Sequence, residues 1–339
     1  MTLRIHYYDT NTTFIDLAPI TESLDWGGEM EQIFRKAVVN IQNSQNMRDL
    51  HVRIVLGRPV IISINGSEFM RGFVIDAGPN SNGKETVTVV DNNWYLTKND
   101  DMRIFKRRRA DQIIRELCQN FQIPVGTLAN TGHILPKMAW PDGASLRDIF
   151  IQAITETRRR NGRAFAITST RGKLNLVERF KQVTEWNLED GITLTEASIR
   201  RSIENTYTQV RTYGDLENGR VTGMARNTDL IRRYGLMQKI ESYSDENPSQ
   251  SAVNALAKER LKELSETEVQ MQVTSVVGKT TAISGTSIYV YNKLTGVIGG
   301  YYIVSDGHTF DQNGHSMTLT LSKTDKLPEM NYVPPEEAR

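Results

Sequence analysis

The chain has 339 residues with 41 basic and 40 acidic side chains, so its formal net charge is +1. This balance removes any global electrostatic case for binding nucleic acid or an anionic membrane, and such a contact would have to be local. Hydrophobic residues make up 38% and charged residues 24%, which is typical of a globular chain and excludes a disordered or fibrous one. The length predicts three domains.

The single cysteine, Cys118, bears on where the protein folds. No intrachain disulfide can form, so the fold depends on its cores, as is usual in a reducing cytosol. The first eight residues lack a basic segment followed by an apolar one, and no run of about 18 apolar residues occurs. We therefore expect neither a signal peptide nor insertion in a membrane.

Residues 1–98 are predicted to form short strands. Residues 60–75 are rich in β-branched side chains and contain Asn65-Gly66, a strong signal for a hairpin turn. A second hairpin is expected between residues 70–76 and 86–91, and closely spaced hairpins are typical of a barrel or sandwich. Residues 30–41 are ambiguous, because their apolar spacing fits a helix while Ala37, Val39 and Ile41 alternate as in a strand.

Residues 99–192 are predicted to form a compact α/β unit. A first helix is expected from about residue 110 to 120, with four side chains on its apolar face: Ile113, Ile114, Leu117 and Cys118. Ser145 is the predicted N-cap of a second helix, since Asp148 follows three residues later in an acidic variant of the capping box. That helix should end at Asn161-Gly162, before a hairpin of residues 164–169 and 173–178.

Residues 193–325 return to predicted strands, interrupted by one helix at residues 249–265 with apolar side chains at helical spacing. The strands are expected at residues 198–202, 206–213, 221–225, 235–243, 269–277, 297–304 and 316–321. Residues 326–339 contain three prolines and no periodicity, which predicts an extended or mobile tail.

Two segments have a partial likeness to phosphate-binding loops. Residues 78–85 have the required glycine and lysine spacing, but Glu85 stands where such a loop needs Ser or Thr, and strand-like residues follow instead of a helix. Residues 278–281 lack the earlier glycine, since Val273 stands five residues before Gly278. We interpret both segments as turns or loops at strand ends.

Metal binding and catalysis have little support in the sequence. His308 and His315 could meet across a hairpin, and with Asp306 and Asp311 they could surround a metal, but these residues are also typical of a polar loop, the interpretation that we favour. Cys118 lies on an apolar helix face, where a thiol packs. We find no nucleophile elbow or paired carboxylates, and expect no catalytic residue, cofactor or metal.

Two basic runs, at residues 106–109 and 158–160, are candidate contacts for a polyanion. Neither has aromatic residues interleaved for stacking bases. The simpler interpretation places the first at the start of a domain and the second at the C-terminus of a helix, where positive charge is favourable. In an assembly they could pair with acidic partner surfaces or line a lumen that DNA crosses.

The order of several short motifs resembles the YqbQ/XkdQ family of phage-tail hub proteins. The motifs are residues 188–205, Thr208-Gln-Val-Arg211, Arg233-Tyr-Gly-Leu-Met-Gln238, and Trp26-Gly27-Gly28 together with Arg35. The resemblance covers nearly the whole chain. It implies mixed β with α/β: two tube-like β-barrel domains, residues 1–98 and 193–325, flank a LysM-like α/β middle domain, residues 99–192, and 326–339 form the extended tail. It also implies a strand after Arg35.

The resemblance further implies a structural, non-enzymatic role. The expected protein is the baseplate hub of a contractile phage or of a tail-like bacteriocin, a homotrimeric ring that adapts a sixfold tail tube to a trimeric central spike. Its partners would be further copies of the chain, the spike, the tube or its initiator and other baseplate proteins, with DNA only as passing cargo. It would assemble in the host cytoplasm, and the sequence does not identify the contact residues.

A second hypothesis comes from a different class of function. Residues 110–128, a predicted helix followed by Ile-Pro-Val-Gly, resemble half of a LysM unit. Such a unit would make the chain a peptidoglycan-binding protein that acts at the cell wall. Binding to purified cell wall by the middle domain would distinguish this hypothesis from the structural hub.

Overall fold

The computed structural model describes residues 2–10, 12–43, 51–179, 183–216, 219–243, 249–324, 327–332 and 334–335, with the backbone alone at residues 183–186. The chain divides by contact into two compact units. The main unit consists of Met1–Ser198 and Gln272–Arg339, and the inserted unit is Ile199–Met271. The division into three domains at residues 98, 192 and 325 stays a prediction.

The elements follow one another in three groups. Residues 2–101 form β1 (Leu3–Tyr8), β2 (Phe14–Asp16), β3 (Thr21–Glu29), β4 (Arg35–Gln42), β5 (Pro59–Ile64), β6 (Ser67–Pro79), β7 (Lys84–Asp91) and β8 (Asp100–Asp101). Residues 104–189 form β9 (Ile104–Arg109), α1 (Ala110–Asn120), β10 (Val125–Leu128), β11 (Ile134–Ala139), β12 (Ala144–Ser145), α2 (Leu146–Asn161), β13 (Phe165–Thr170), β14 (Lys173–Glu178) and β15 (Val183–Glu189). The rest forms β16 (Glu196–Ser202), β17 (Gln209–Leu216), β18 (Gly219–Arg226), α3 (Thr228–Tyr234), β19 (Gln238–Ser242), α4 (Gln250–Leu264), β20 (Glu268–Ser275), β21 (Ser287–Asn292), β22 (Val297–Asp311) and β23 (Gly314–Ser322).

One large sheet of 13 strands dominates the fold, which is β-rich with an α/β part. Its main path runs β16-β20-β23-β22-β3-β4-β7-β6-β5-β1-β2, and β21 and β15 extend from β22. Among the described strands this path stays open, so two closed barrels are not confirmed. Instead, antiparallel pairing of β22 with β3, through His308 opposite Trp26, joins the N-terminal and C-terminal thirds of the chain in one sheet.

Local sequence signals account for the hairpins of this sheet. Asn65 and Gly66 both have positive φ, at 47° and 81°, as the two-residue turn between β5 and β6 requires. The predicted second hairpin is confirmed as β6 and β7. The ambiguous segment is a strand, β4, in which Arg35, Ala37, Val39 and Ile41 alternate into the core. Residues 53–56, within the region predicted to form short strands, contain no strand, and β15 and β21 were not predicted.

Two apolar cores lie in the main unit. One packs beneath the large sheet and includes Ile5, Tyr7, Leu24, Trp26, Val39, Ile62, Val89 and Phe310. The other fills the α/β part between α1, α2 and the β13–β14 hairpin and includes Ile113, Leu117, Ile149, Phe150, Leu174 and Leu176. The predicted apolar face of α1 is confirmed, and Ser145 Oγ accepts from Asp148 N at 3.1 Å as the predicted N-cap of α2.

The inserted unit is a three-stranded sheet, in the order β18-β17-β19, with α4 against one face. Helix and sheet approach closely because Gly223 lacks a side chain, and a Cβ there would lie 2.7 Å from Val253 O. Thr212 Oγ1 donates to the same carbonyl at 2.7 Å. Ser249 caps α4, so the predicted helix at residues 249–265 is confirmed.

The C-terminal segment is extended, and residues 327–332 dock on the α/β core. The hydroxyl of Tyr332 accepts a hydrogen bond from Ala139 N at 2.6 Å, and the ring lies 5.6 Å from that of Trp140. Glu329 forms ion pairs with Arg158 and Arg159 at the end of α2, at 2.5 and 3.1 Å. The segment is extended, as one of the two predicted alternatives has it, and its tyrosine, its methionine and its carboxylate each have a partner on α2 or on β11.

Candidate assembly site

A buried ion pair links the N-terminal and C-terminal parts of the sheet where β3, β4 and β22 meet. Arg35 donates to Asp306 through both terminal nitrogens, to Oδ1 at 3.0 Å and also to Oδ2. The two side chains are only 10% and 0% exposed. Such a bidentate pair is strong and directional, and it joins residues 271 positions apart in sequence. We call Arg35, Asp306, His308 and His315 the polar seam.

Two histidines extend the polar seam from β22 to β23. His308 Nδ1 lies 3.0 Å from His315 Nε2, while His308 Nε2 faces Ala282 O at 3.2 Å and Asp306 Oδ2 at 3.3 Å. A neutral His308 that donates through Nε2 can accept at Nδ1 from His315. Burial, together with the charge of a protonated His308, lowers the pKa of His315 to about 4. The His315 ring is therefore neutral near pH 7 in this arrangement.

The electrostatics of Asp306 follow from its partners. Burial alone would raise the pKa of this carboxyl, but the Arg35 charge and the hydrogen bonds from His308 and Arg35 outweigh it and hold the pKa well below its usual range. Ser284 N donates a further hydrogen bond to Oδ1 at 2.6 Å. Asp306 is thus an ionised carboxylate with a full set of donors, which a buried charge requires.

The motif Trp26-Gly27-Gly28 makes room for the polar seam. A Cβ on Gly27 would lie 2.4 Å from Asp306 O, and one on Gly28 would lie 3.0 Å from the Arg35 guanidinium. The guanidinium also lies over the Trp26 ring, 3.9 Å from its centroid, in a cation–π contact. Of the residues that marked the sequence resemblance, Gly27 thus lets the β22 backbone approach closely, while Gly28 and Trp26 enclose the Arg35 guanidinium.

A second buried carboxyl, Asp91, lies at the start of the turn after β7. It accepts from Arg35 N at 3.0 Å and from Asn93 N at 2.9 Å, and Asn93 Nδ2 donates to Ile33 O at 2.9 Å. Burial raises the pKa of Asp91 to about 7, although these hydrogen bonds and the nearby Arg35 charge act in the opposite direction. The β3–β4 connection is thereby fixed to the end of β7.

The interpretation of residues 306–315 as a polar loop is wrong, because Asp306 and His308 are buried in β22 and His315 lies on β23. The alternative of a metal site, which the sequence did not favour, has no matching geometry here. Asp306, His308 and His315 come together as expected, but their ring nitrogens follow one another in a hydrogen-bonded chain and do not converge on one point. Asp311 lies in the hairpin turn, where it accepts from Asn313 N at 2.7 Å. Within the described ranges, no group of three His, Cys, Asp or Glu residues is arranged to hold a metal ion.

The two segments with a partial likeness to phosphate-binding loops, and Cys118, lie at positions where they support the fold. Residues 78–85 form the β6–β7 turn, with Gly83 at φ 76° and Glu85 buried in β7, so the segment is a turn as predicted. Gly278, beyond the end of β20, donates to His315 O at 2.7 Å, and a Cβ there would lie 2.2 Å from the His315 ring. Cys118 is buried, which raises the pKa of its thiol to about 12.

The second basic run is confirmed at a helix end, and the first lies on β9, directly before α1. Residues 106–109 lie on β9, with Lys106, Arg107 and Arg108 exposed. Arg158, Arg159 and Arg160 form the last turn of α2, and the first two contact Glu329. Charge at this helix end is favourable, as predicted.

The sequence interpretation missed the Arg35–Asp306 pair, although a signal for it exists. If residues 35–41 form a strand, Arg35 shares the phase of Ala37, Val39 and Ile41, so its guanidinium points into a core. A buried charge needs a buried opposite charge. Asp306 has the same phase as Phe310 in β22, and it is the matching carboxylate.

The comparisons with known proteins agree with this architecture. The sequence pattern of the YqbQ-like family matches residues 24–322. The uncharacterized protein YqbQ of Bacillus subtilis (strain 168) is 30% identical over 311 residues, which are 91% of this chain and 94% of that protein. The phage-like element PBSX protein XkdQ of the same organism is 28% identical over 319 residues, covering 94% and 97%.

A solved structure shows the same fold. The 43 kDa tail protein of prophage MuSo2 from Shewanella oneidensis superposes with a TM-score of 0.69 over 94% of this chain and 98% of that protein, at 14% identity. In the part of the chain that the structure describes, no helix has the length and apolar character to cross a membrane.

Proposed function

The chain belongs to the YqbQ-like family, and on that premise we propose that it is a structural, non-enzymatic component of a phage-like tail, the baseplate hub between tail tube and central spike. Three copies form a ring in this proposal, and each copy presents two similar β modules, from residues 1–98 and 193–325. The ring then offers six related faces to a sixfold tube and a threefold face to a trimeric spike.

One observation carries the proposal. The first and last thirds of the chain form one continuous sheet, and the buried Arg35–Asp306 pair joins them. A hub that binds the tube on one face and the spike on another needs these two faces held at a fixed distance and angle. A continuous paired sheet with a buried ion pair supplies that rigidity. Chemistry would instead need converging polar groups in a pocket, and the polar seam is buried and internally satisfied at its carboxylate.

The particle context follows from the same proposal. XkdQ is named as a protein of a phage-like element, and the MuSo2 protein as a tail protein. By analogy, this chain is a virion or tail-particle component that assembles in the bacterial cytoplasm, contacts the spike and the tube, and lets DNA pass as cargo. The predicted LysM-like middle part serves as a scaffold in this view.

The test is a cryo-electron microscopy reconstruction of tail particles that carry a small tag at the C-terminus of this chain. Three tag densities between tube and spike are the expected result. Tag density at the fibres, or tagged protein recovered only on cell-wall fragments, would refute the hub and favour the peptidoglycan-binding alternative. An untagged particle preparation controls for density from other proteins.

A further inference from the structure

A groove with a bare floor lies in the large sheet. Gly27 of β3 and Gly307 of β22 are direct cross-strand partners, so two neighbouring strands lack side chains at the same level. The groove measures about 490 Å³, and nothing lies within 4 Å of a Cβ placed at Gly307. Its rim carries exposed Asp25, Glu29 and Lys36. Bare glycine backbone in a sheet is a place where another chain's side chain can pack closely.

A rigid apolar knob projects from the turn between β21 and β22. Leu294 is 94% exposed at the tip of this turn. The turn is closed by Asn292 Oδ1, which accepts from Thr295 N at 3.0 Å and from Thr295 Oγ1 at 2.8 Å. Exposed Tyr289 and Ile298 lie on the strands behind the tip. Because these hydrogen bonds already fix the turn, burial of Leu294 against a partner would cost little loop ordering.

The knob cannot reach the groove of its own chain. Both lie along β22, which runs as a strand from Val297 to Asp311. Ten residues separate Val297 from Gly307, which at about 3.3 Å per residue corresponds to about 33 Å. Leu294 can therefore enter the groove only of another copy.

We propose that the knob of one copy occupies the groove of the next copy. Leu294 packs on the bare backbone of Gly27 and Gly307, and the ammonium group of Lys293, beside it at the tip, meets the carboxylate of Glu29 on the rim. Because knob and groove are different surfaces, the contact is head-to-tail, and repetition closes a ring when the rotation is 120°. The inference rests on the proposed ring, for which it names the contact.

Disulfide trapping tests the contact. Leu294→Cys and Gly307→Cys are introduced into one full-length chain, which is oxidised in assembled tail particles and separated without reductant. Native Cys118 is buried with a raised thiol pKa and does not compete. Covalent dimers and trimers are expected, since a disulfide needs Cα atoms within about 7 Å. Each single variant, and Leu294→Cys combined with Met102→Cys at another exposed site, should remain monomeric.

The outcomes separate this contact from the proposed function. If the particles hold three tagged copies between tube and spike but the 294–307 pair does not cross-link, the contact is wrong and the hub stands. If the 294–102 pair cross-links equally well, the trapping reports random collision and the contact is also wrong. If the pair cross-links into trimers in particles whose tag lies elsewhere, the contact stands and the hub fails.

A charge exchange provides an independent measurement. Lys293→Glu and Glu29→Lys should each weaken self-association of the purified chain by about two- to fivefold in sedimentation velocity, and the double variant should restore it, as for a partly exposed ion pair. Leu294→Ala should weaken self-association about tenfold or more, because it removes a buried apolar side chain. Equal self-association of Leu294→Ala and the natural chain would overturn the proposal.

Discussion

Removal of Arg35 should destabilise the protein far more than removal of an ordinary surface arginine. In Arg35→Met the Asp306 carboxylate, whose side chain is 0% exposed, keeps only Ser284 N and His308 as partners. Breaking a buried ion pair costs about 3–5 kcal/mol, since it leaves an uncompensated charge. The cation–π contact with Trp26 is lost as well. We expect the free energy of unfolding to fall by about 4 kcal/mol at pH 7.

A double-mutant cycle isolates the pair. Asp306→Asn should be costly for the reciprocal reason, while Arg35→Met combined with Asp306→Asn removes both charges and should cost less than the sum of the two changes by about 2–3 kcal/mol. Urea unfolding followed by tryptophan fluorescence is a suitable assay, because Trp26 contacts the guanidinium. Arg4→Met is the matched control, since Arg4 pairs with Asp16 in an exposed position, and it should cost less than about 1 kcal/mol.

The sign of the pH dependence provides a second check on the same pair. The folded pKa of Asp306 lies below its unfolded value, so its contribution to stability is present above about pH 4 and is lost as the pH falls further. Without Arg35, burial dominates and the carboxyl resists ionisation. The stability gap between the natural chain and Arg35→Met should therefore narrow as the pH falls from 7 towards 4. A gap below about 1 kcal/mol at pH 7, or strictly additive single changes, would refute the reasoning.

Three further predictions concern other parts of the main unit. The folded pKa of Asp91 is about 7 against an ordinary 3.8, so the stability that its protonated form contributes is complete below pH 4 and is lost as the pH rises through 7. Between pH 4 and pH 8 the natural chain should lose about 4 kcal/mol of unfolding free energy relative to Asp91→Asn. Urea titrations across this range measure the difference, and unfolding free energies that change in parallel for the two proteins would contradict the prediction. Tyr332→Phe leaves the buried Ala139 N–H without its acceptor and should cost about 1–2 kcal/mol, with faster proteolysis of the C-terminal segment; unchanged stability would mean that the docked segment contributes little. Gly27→Ala places a Cβ 2.4 Å from Asp306 O and should lower the thermal midpoint by about 2 °C for each kcal/mol of strain. The control Gly300→Ala, which meets nothing within 4 Å, should leave the thermal midpoint nearly unchanged.

The local part of this fold is readable from sequence because its signals lie within a few residues of one another. Asn65-Gly66 specifies a two-residue turn, Ser145 caps α2, and Gly162 with φ 72° ends it. The pairing of β3 with β22 has no such signal. Its register depends on side chains some 280 positions apart, which meet only after both segments have folded.

The docked C-terminal segment shows a related limit. Prolines and the lack of periodicity predicted an extended chain, and the described part is extended. The docking itself was not predicted, because Tyr332 contacts Ala139, 193 positions earlier in the sequence, and Trp140 beside it. Single aromatic anchors are tertiary features, so no periodicity reports them. The groove at Gly27 and Gly307 was missed for the same reason, since its two glycines meet only across strands.

The pairing of β3 with β22 also sets a condition on synthesis. β3 emerges from the ribosome early, whereas β22 follows about 280 residues later, which at 5–20 residues per second is a wait on the order of 15–55 seconds. During that time one edge of β3 lacks its partner and Arg35 lacks its carboxylate, so a truncated product keeps a charged, unpaired edge that disfavours folding. Only a chain translated through Ser322, the last residue of β23, can complete the sheet.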